Sequence, residues 1–171
     1  MPPRCRSLVL FLCLTTARTI TTTCLFRQRM AIKYLITGAT GGLGKHVLRY
    51  FVENVPLSEF AAASSKSSNK SMFEDRGIAF RHINYDDSKS LDTGLHGVEN
   101  LLFISSVGSA RIEQHSRLID AAKKAGVKHV WYTSLAFGGF GNNSRSPIQA
   151  EHVLTEKLLK EYVVDRLPKH R

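Results

Sequence analysis

A group of glycines near residue 40 has the residue types and spacing best suited to chemistry in this sequence. Gly38, Gly41 and Gly44 are three residues apart, and they follow the short apolar segment Lys33–Thr37. In such a loop the first glycine allows a tight turn, the second lets the backbone approach a phosphate, and the third lets the next helix pack close to the strand. The free N–H groups and the positive end of that helix then face the anion. The segment predicts a site for a dinucleotide pyrophosphate, with contacts from Gly38, Thr40, Gly41, Gly42, Leu43 and Gly44.

The choice between NAD and NADP should be made about 20 residues after the last glycine, where the second strand ends. Proteins that bind NAD place an acidic residue there, which holds the 2′-hydroxyl of the ribose. This chain has Ser64, Ser65 and Lys66 at that point, with Lys70 nearby. Because small hydroxyls and lysines suit a 2′-phosphate, we expect Ser64 and Lys66 to favour NADP. NAD is the alternative cofactor, and a solvated polar loop is the alternative interpretation.

Polar residues also follow three later strands of the predicted sheet. Asp86 follows the third strand, where it would accept a hydrogen bond from the adenine amino group or cap the helix that begins at Ser88. The carboxyl ends of parallel strands meet at one edge of a sheet, beside the cofactor crevice, so residues there line the pocket or form turns. The further candidates at this edge are Ser105 and Ser106 after the fourth strand, and Thr133 and Ser134 after the fifth.

The elements that must position these residues alternate between strand and helix. Apolar residues recur every four positions from Leu43 to Val55, which predicts an amphipathic helix that Pro56 ends. Strict alternation predicts an α/β fold, namely a Rossmann-type doubly wound parallel sheet of about five strands. The predicted strands are Lys33–Thr37, Phe60–Ala63, Ile78–Ile83, Asn100–Ile104 and Val127–Thr133. The later predicted helices are Ser71–Arg76, Ser88–Leu95, a long helix marked by apolar positions from Ile112 to Ala122 that ends at Gly126, and Ile148–Lys160.

The positive charge of the chain lies largely outside its central part. The 171 residues carry a net charge of +10. Residues 1–29 contribute five of these charges and residues 162–171 contribute two, which leaves +3 for residues 30–161. A charge near +3 suits a protein with an anionic cofactor as well as a nucleic-acid binder, but no clustered basic patch is visible. We therefore expect a dinucleotide partner and no direct nucleic-acid partner.

Cysteine and histidine placement excludes several kinds of site from the central part. The three cysteines are Cys5, Cys13 and Cys24, so residues 30–161 have no cysteine nucleophile, thiolate metal site or disulfide framework. The seven histidines show no convincing spacing for metal ligands. We expect no metal site.

The two ends of the chain differ from the middle. Residues 1–29 combine basic residues with the apolar run Leu8–Leu14, which is too short to span a bilayer. They would be a secretory signal, a mitochondrial transit peptide, or sequence upstream of a start at Met30. We favour the last, which implies a cytoplasmic protein with a domain over 30–161. Residues 162–171 resemble an altered reading frame or a retained intron. Within them, two valines, Val163 and Val164, would form a short strand that Pro168 ends.

Six segments in combination resemble one protein family. They are Thr37–Gly44, Tyr85–Asp87, Leu101–Ser106, Ala121–Lys128, Tyr132–Leu135 and His152–Lys157. This set is similar to the NmrA-like atypical short-chain dehydrogenases/reductases, and within them to the NAD(P)H:quinone oxidoreductase-like members. The resemblance covers about residues 31–161 and implies a Rossmann fold that binds NAD(P).

The resemblance also implies a role for one lysine. Typical short-chain dehydrogenases use a Tyr-x-x-x-Lys pair, in which the lysine lowers the pKa of the tyrosine and holds the nicotinamide ribose. Lys157 stands in the place of that lysine, whereas Val153 stands in the place of the tyrosine. We therefore expect Lys157 to bind the ribose at the catalytic centre, without a tyrosine acid. Hydride transfer to a quinone needs less help, because the oxygens of a reduced quinone take protons from water.

Two further expectations follow from the resemblance. Family members continue after a helix like Glu151–Glu161 with more strands and a substrate-binding segment, so we expect a C-terminally truncated form that is weak or inactive as an enzyme. Quinone reduction would belong to the full-length protein. The valine at position 153 also favours an alternative, a catalytically inactive sensor of NAD(P) that acts through a regulatory protein partner. A non-functional fragment is the third interpretation.

Overall fold

The computed structural model describes residues 31–135 and 146–164, and the predictions for residues 1–29 and for Pro168 lie outside this part of the chain. Within it, five strands alternate with five α-helices, as predicted. The strands are β1 (Ile32–Ile36), β2 (Phe60–Ser64), β3 (Ala79–His82), β4 (Val98–Phe103) and β5 (His129–Tyr132). The helices are α1 (Gly42–Asn54), α2 (Lys70–Glu74), α3 (Ser88–Gly94), α4 (Arg111–Ala125) and α5 (Pro147–Val164), with a 3₁₀ turn at Ser67–Asn69 before α2.

The five strands form one parallel sheet in the order β3-β2-β1-β4-β5. The chain moves outward from β1 through β2 to β3, and then returns to the other side of β1 with β4. The strand order therefore reverses between β1 and β4, and connections that leave the carboxyl ends of these two strands diverge to opposite faces of the sheet. In open α/β sheets, ligands bind in the crevice at such a point. The Rossmann-type doubly wound sheet predicted from the sequence is confirmed.

Both faces of the sheet are buried, which explains the continuous apolar character of its central strands. Side chains alternate along β1, so that Leu35 and Ile36 are both fully buried but on opposite faces. Leu35 belongs to the core that includes Leu118 of α4, while Ile36 belongs to the core that includes Leu48 of α1. The sheet is thereby held between α1 and α2 on one face and α3, α4 and α5 on the other.

Helix α5 continues to Val164, so the short strand predicted at Val163 and Val164 is wrong. Adjacent valines favour a strand only weakly, and the tertiary position of the helix decides the outcome. Tyr162 is 4% exposed, and its hydroxyl donates a hydrogen bond to the carbonyl oxygen of Val127 just before β5. Tyr162 is therefore part of the folded unit, although the predicted domain boundary lay at residue 161.

In the described residues, none of the helices has both the length and the apolar character needed to cross a bilayer. Strand β5 lies at one edge of the sheet, and the side chain of Trp131 within it is 50% exposed.

The start of α1 lies so close to the end of β1 that only glycine fits at position 44. A Cβ atom there would lie 2.0 Å from the carbonyl oxygen of Gly38, whereas a Cβ at Gly42 would meet no atom within 4 Å. We expect Gly44→Ala to lower the free energy of unfolding by about 2 kcal/mol or more, because backbone must move. The control Gly42→Ala, in the same turn of the helix, should be neutral or slightly stabilising. Urea unfolding of both variants checks this, and equal losses of stability would contradict it.

Candidate functional site

The loop between β1 and α1 leaves the N-terminus of the helix open. Gly38 has φ +61°, and its carbonyl oxygen accepts a hydrogen bond from the N–H of Gly41 at 3.0 Å, which closes the turn. Helix α1 has no capping side chain and no acidic residue in its first turn. Its first N–H groups are therefore not taken by a capping side chain, and the helix dipole is not neutralised there. This end of α1 fits an anion such as a pyrophosphate.

The space in front of the loop is consistent with that fit. Gly41, Gly42 and Leu43 are exposed, and Thr40 before them is partly buried. A Cβ at Gly41 would lie 3.3 Å from the carbonyl oxygen of Gly38, so a side chain there would crowd the turn. Among residues 31–135 and 146–164, no atom lies within 4 Å of a Cβ built at Gly42, so this side of its backbone leaves room for a phosphate.

A pocket of about 280 Å³ adjoins this loop at the carboxyl ends of β1, β2, β3 and β4. Ile104 and Val107 contribute apolar surface to it. A pocket with apolar walls and a few polar groups is typical of a site for a small ligand or cofactor. The predicted site residues that line it are Gly38, Asp86, Ser105 and Ser106. A larger open depression of about 700 Å³, lined in part by Gly77, lies at the amino ends of the strands and includes none of the predicted residues.

Asp86 is held in the pocket wall by two side chains of α4. Its carboxylate accepts hydrogen bonds from Gln114 at 2.7 Å and from the guanidinium of Arg117 at 2.6 Å. The helix cap is the neighbouring residue, since Asp87 accepts from the N–H of Lys89 at 3.0 Å. The capping role predicted for Asp86 is therefore wrong, and contact with an adenine amino group stays a prediction.

The structure gives Ser64 and Lys66 different surroundings. Ser64 ends β2 and is 5% exposed, and its hydroxyl oxygen accepts hydrogen bonds from the N–H of Lys66 at 3.2 Å and from Asn69 at 2.9 Å. This oxygen shapes the turn, so a phosphate contact from Ser64 stays a prediction. Ser65 lines the pocket, and the side chain of Lys66 is exposed beside it. Lys66 is thus the residue of this group best placed to offer a positive charge.

A tyrosine that sequence reasoning gave no role ties the pocket to the point where the strand order reverses. The Tyr85 hydroxyl donates a hydrogen bond to the Thr37 hydroxyl oxygen at 2.7 Å. Thr37 in turn donates to the carbonyl of Leu102 at 3.2 Å and accepts from the N–H of Ile104 at 3.1 Å. Burial raises the pKa of Tyr85, so the phenol stays protonated as a donor. Residues that follow β1, β3 and β4 are joined in this way.

The polar residues after β4 and β5 are brought together only in part. The N–H of Ser105 donates to the hydroxyl oxygen of Thr133 at 3.1 Å, so Thr133 supports the pocket wall from behind. Ser134 faces α5, where its hydroxyl donates to the carboxylate of Glu156. Neither Thr133 nor Ser134 lines the pocket, and their predicted contact with a cofactor stays a prediction.

Ser106 is supported by two buried polar residues of α4, His115 and Arg111, which sequence reasoning did not assign to the site. The side chain of His115 is fully buried, and Arg111 is 6% exposed. Burial, followed by the charge of Arg111, lowers the pKa of His115 to about 3, so the imidazole is neutral. In the sequence, His115 stands at an apolar position of an amphipathic helix. This pattern indicates that the side chain is buried, but it does not identify the hydrogen-bond partner.

Lys157 is exposed on α5 and does not line the pocket. It lies two residues beyond Thr155, which is fully buried, and therefore about 200° around the helix from it. The structure does not bring Lys157 to the glycine loop, and residues 136–145, which precede α5, lie outside the described part. Its contact with a ribose stays a prediction. The described residues contain no group of three or more His, Cys, Asp or Glu side chains that could hold a metal ion.

Comparisons with known proteins agree with this geometry. The chain is 53% identical over 135 residues to an NmrA-like family domain-containing oxidoreductase, flvB, of Aspergillus flavus, which covers 76% of this chain and 44% of that protein. It is 41% identical over 128 residues to quinone oxidoreductase 2 of Escherichia coli, which covers 74% of this chain and 43% of that protein. The chain thus spans less than half the length of these relatives.

Solved structures give the same result for the fold. The triphenylmethane reductase of Citrobacter sp., solved in complex with NADP(H), superposes with a TM-score of 0.72 at 34% identity, over 77% of this chain and 46% of that one. The NADPH-dependent quinone oxidoreductase of Escherichia coli, solved with NADPH, superposes with a TM-score of 0.69 at 38% identity, over 75% and 45%. Residues 30–160 match the NmrA-like family. The chain therefore belongs to the NmrA-like family.

Proposed function

We propose that this chain is the NADPH-binding half of an oxidoreductase that reduces quinones. The observation that carries the proposal is the glycine loop, whose open helix N-terminus lies beside the pocket where the strand order reverses between β1 and β4. Support for the cofactor comes from two similar proteins whose structures were solved with NADP(H) or NADPH. Support for the substrate class comes from the quinone oxidoreductase among them.

The proposed binding mode follows the geometry of the pocket. The N–H groups of residues 42–44, in the first turn of α1, bind the pyrophosphate, since no side chain caps them. Asp86 accepts a hydrogen bond from the adenine, and Lys66 binds the 2′-phosphate. Ser105 and Ser106 form the wall toward the nicotinamide end, which reaches the end of β4.

Chemistry at the nicotinamide end requires orientation more than proton transfer from this chain. Bound NADPH would supply a hydride. Val153 occupies the position of the usual tyrosine and has no proton to donate, which suits an acceptor whose reduced oxygens take protons from water. Lys157 holds the nicotinamide ribose in this proposal, and a shift of α5 relative to the pocket wall would change the alignment of the two rings.

The relatives named above are oxidoreductases or reductases, and this favours an enzyme over the sensor that acts through a protein partner. The cytoplasmic location inferred from a start at Met30 stays a prediction.

The cofactor assignment predicts a preference for NADPH over NADH that depends on Lys66. Fluorescence titration of the full 171-residue chain should give saturable binding of NADPH and weaker binding of NADH. Lys66→Ser should weaken NADPH binding by about tenfold and leave NADH binding unchanged, because only NADPH carries the 2′-phosphate.

Lys89→Ser is the matched control, because Lys89 is also an exposed lysine but lies on α3 beyond the pocket. It should bind both cofactors like the unaltered chain. A folded chain that binds neither cofactor would contradict the proposed function. Equal binding of both would contradict only the assignment of NADP.

The assignment of Lys157 predicts a loss of turnover in a protein that contains the substrate half. Residues 30–160 can be joined to the part of E. coli quinone oxidoreductase 2 that follows the matched region, and NADPH oxidation by a quinone can be followed. Lys157→Gln should lower kcat/KM by at least about tenfold, through loss of a charge-assisted hydrogen bond to the ribose.

The control Lys160→Gln removes another exposed lysine of the same helix and should leave turnover unchanged. Equal effects of the two substitutions on kcat/KM would contradict the assignment of Lys157 to the ribose site. A fusion protein that binds NADPH but reduces no quinone would contradict the substrate class.

A further inference from the structure

Both main-chain polar groups of Ser106 are held by side chains of α4. Its N–H donates a hydrogen bond to Nε2 of His115 at 3.1 Å, and its carbonyl oxygen accepts one from Nε of Arg111 at 2.9 Å. Arg111 and His115 are four residues apart, so they lie on the same face of the helix. The hydroxyl of Ser106 also lies 3.2 Å from Nε2 of His115.

The same two side chains are bound to α5. Nδ1 of His115 lies 2.8 Å from the hydroxyl oxygen of Thr155, and the guanidinium of Arg111 pairs with the carboxylate of Glu151. Glu151 and Thr155 are again four residues apart. Two parallel chains of contacts therefore run from α5 through α4 to a single peptide segment of the pocket wall.

The directions of these hydrogen bonds fix the protonation of His115. The Thr155 hydroxyl donates its proton to the carbonyl oxygen of Glu151 at 3.0 Å, so it accepts from Nδ1. His115 thus carries its proton on Nδ1, and Nε2 is free to accept from Ser106. The ring of Phe103 packs edge-on against the imidazole, with centroids 4.6 Å apart, and fixes its plane.

Burial makes this arrangement hard to rearrange. Thr155 and His115 are both fully buried. A buried polar group that loses its partner keeps the cost of its desolvation, so removal of one member leaves the others unsatisfied. Ser106 is therefore connected through buried side chains of α4 to residues of α5.

We propose that His115 and Arg111 are positioning residues, which hold Ser105–Val107 as the cofactor-facing wall of the pocket and transmit the position of α5 to that wall. The proposal rests on the proposed cofactor site. Helix α5 also carries Lys157. In this proposal the two connections therefore hold Lys157 and the wall at Ser105–Val107 in a fixed arrangement on either side of the nicotinamide. Neither His115 nor Arg111 touches the reacting atoms.

Substitutions of His115 in the full chain test this proposal. His115→Leu removes the acceptor for Ser106, and His115→Gln keeps an acceptor near the position of Nε2. We expect His115→Leu to weaken NADPH binding by about five- to tenfold and to speed amide hydrogen exchange at Ser106. The glutamine variant should restore most of both properties.

Leu118→Ala is the matched control, because Leu118 is a fully buried residue one turn further along α4 that packs in the sheet core. It should lower the melting temperature without changing NADPH affinity or exchange at Ser106. If His115→Leu does not fold, Thr155→Val tests the same connection with an isosteric change, since it removes the acceptor for Nδ1. It should also speed exchange at Ser106.

The outcomes separate this proposal from the proposed function. An unaltered chain that binds no NADPH overturns the proposed function, while amide exchange at Ser106 still tests the contacts with α4 and α5. Exchange at Ser106 that is the same in the unaltered chain, His115→Leu and Thr155→Val overturns the positioning proposal. The positioning proposal is also overturned if, in every variant including Leu118→Ala, the loss of NADPH affinity is explained by the drop in melting temperature alone.

Discussion

The close approach of helix α1 to the end of β1 is the constraint on which the site depends. A single atom at the Cβ position of Gly44 would lie 2.0 Å from the carbonyl oxygen of Gly38, so the helix can begin there only without a side chain. This approach sets the first turn of α1 beside the carboxyl ends of β1 and β4. That turn therefore lies at the end of the sheet where the strand order reverses and where open α/β sheets bind their ligands.

The two sides of the pocket are built by different means. On the side of α1 the chain offers backbone N–H groups, because Gly41, Gly42 and Gly44 carry no side chain and no capping side chain competes for these donors. On the side of β4 the wall is held from behind by buried polar side chains, with Thr37, His115 and Arg111 each bonded to main-chain groups at or beyond the end of the strand. A wall of this kind presents a fixed shape to a ligand, since its own polar groups already have partners.

Local sequence patterns predicted the fold. The hydrogen bonds behind the pocket join residues that are far apart in the sequence, so local patterns did not predict them. The alternation of apolar strands and amphipathic helices and the spacing of Gly38, Gly41 and Gly44 are visible within short windows. The bond from Tyr85 to Thr37 joins residues 48 positions apart, and no periodicity indicates it.

Errors in the predictions have physical reasons of the same kind. Two neighbouring aspartates follow β3, and only the backbone geometry decides that Asp87 caps α3 while Asp86 faces α4. The valines after Tyr162 suggested a strand, and the burial of Tyr162 against Val127 extends the helix instead.

The central claim is that the N–H groups at the start of α1 bind the pyrophosphate of a dinucleotide. Nuclear magnetic resonance of the ¹⁵N-labelled chain during addition of NADPH measures these groups directly. The amide signals of Gly42, Leu43 and Gly44 should shift together and saturate, with smaller changes at Gly77, which lies at the amino ends of the strands. Saturable shifts elsewhere with no change at these three amides would contradict the claim.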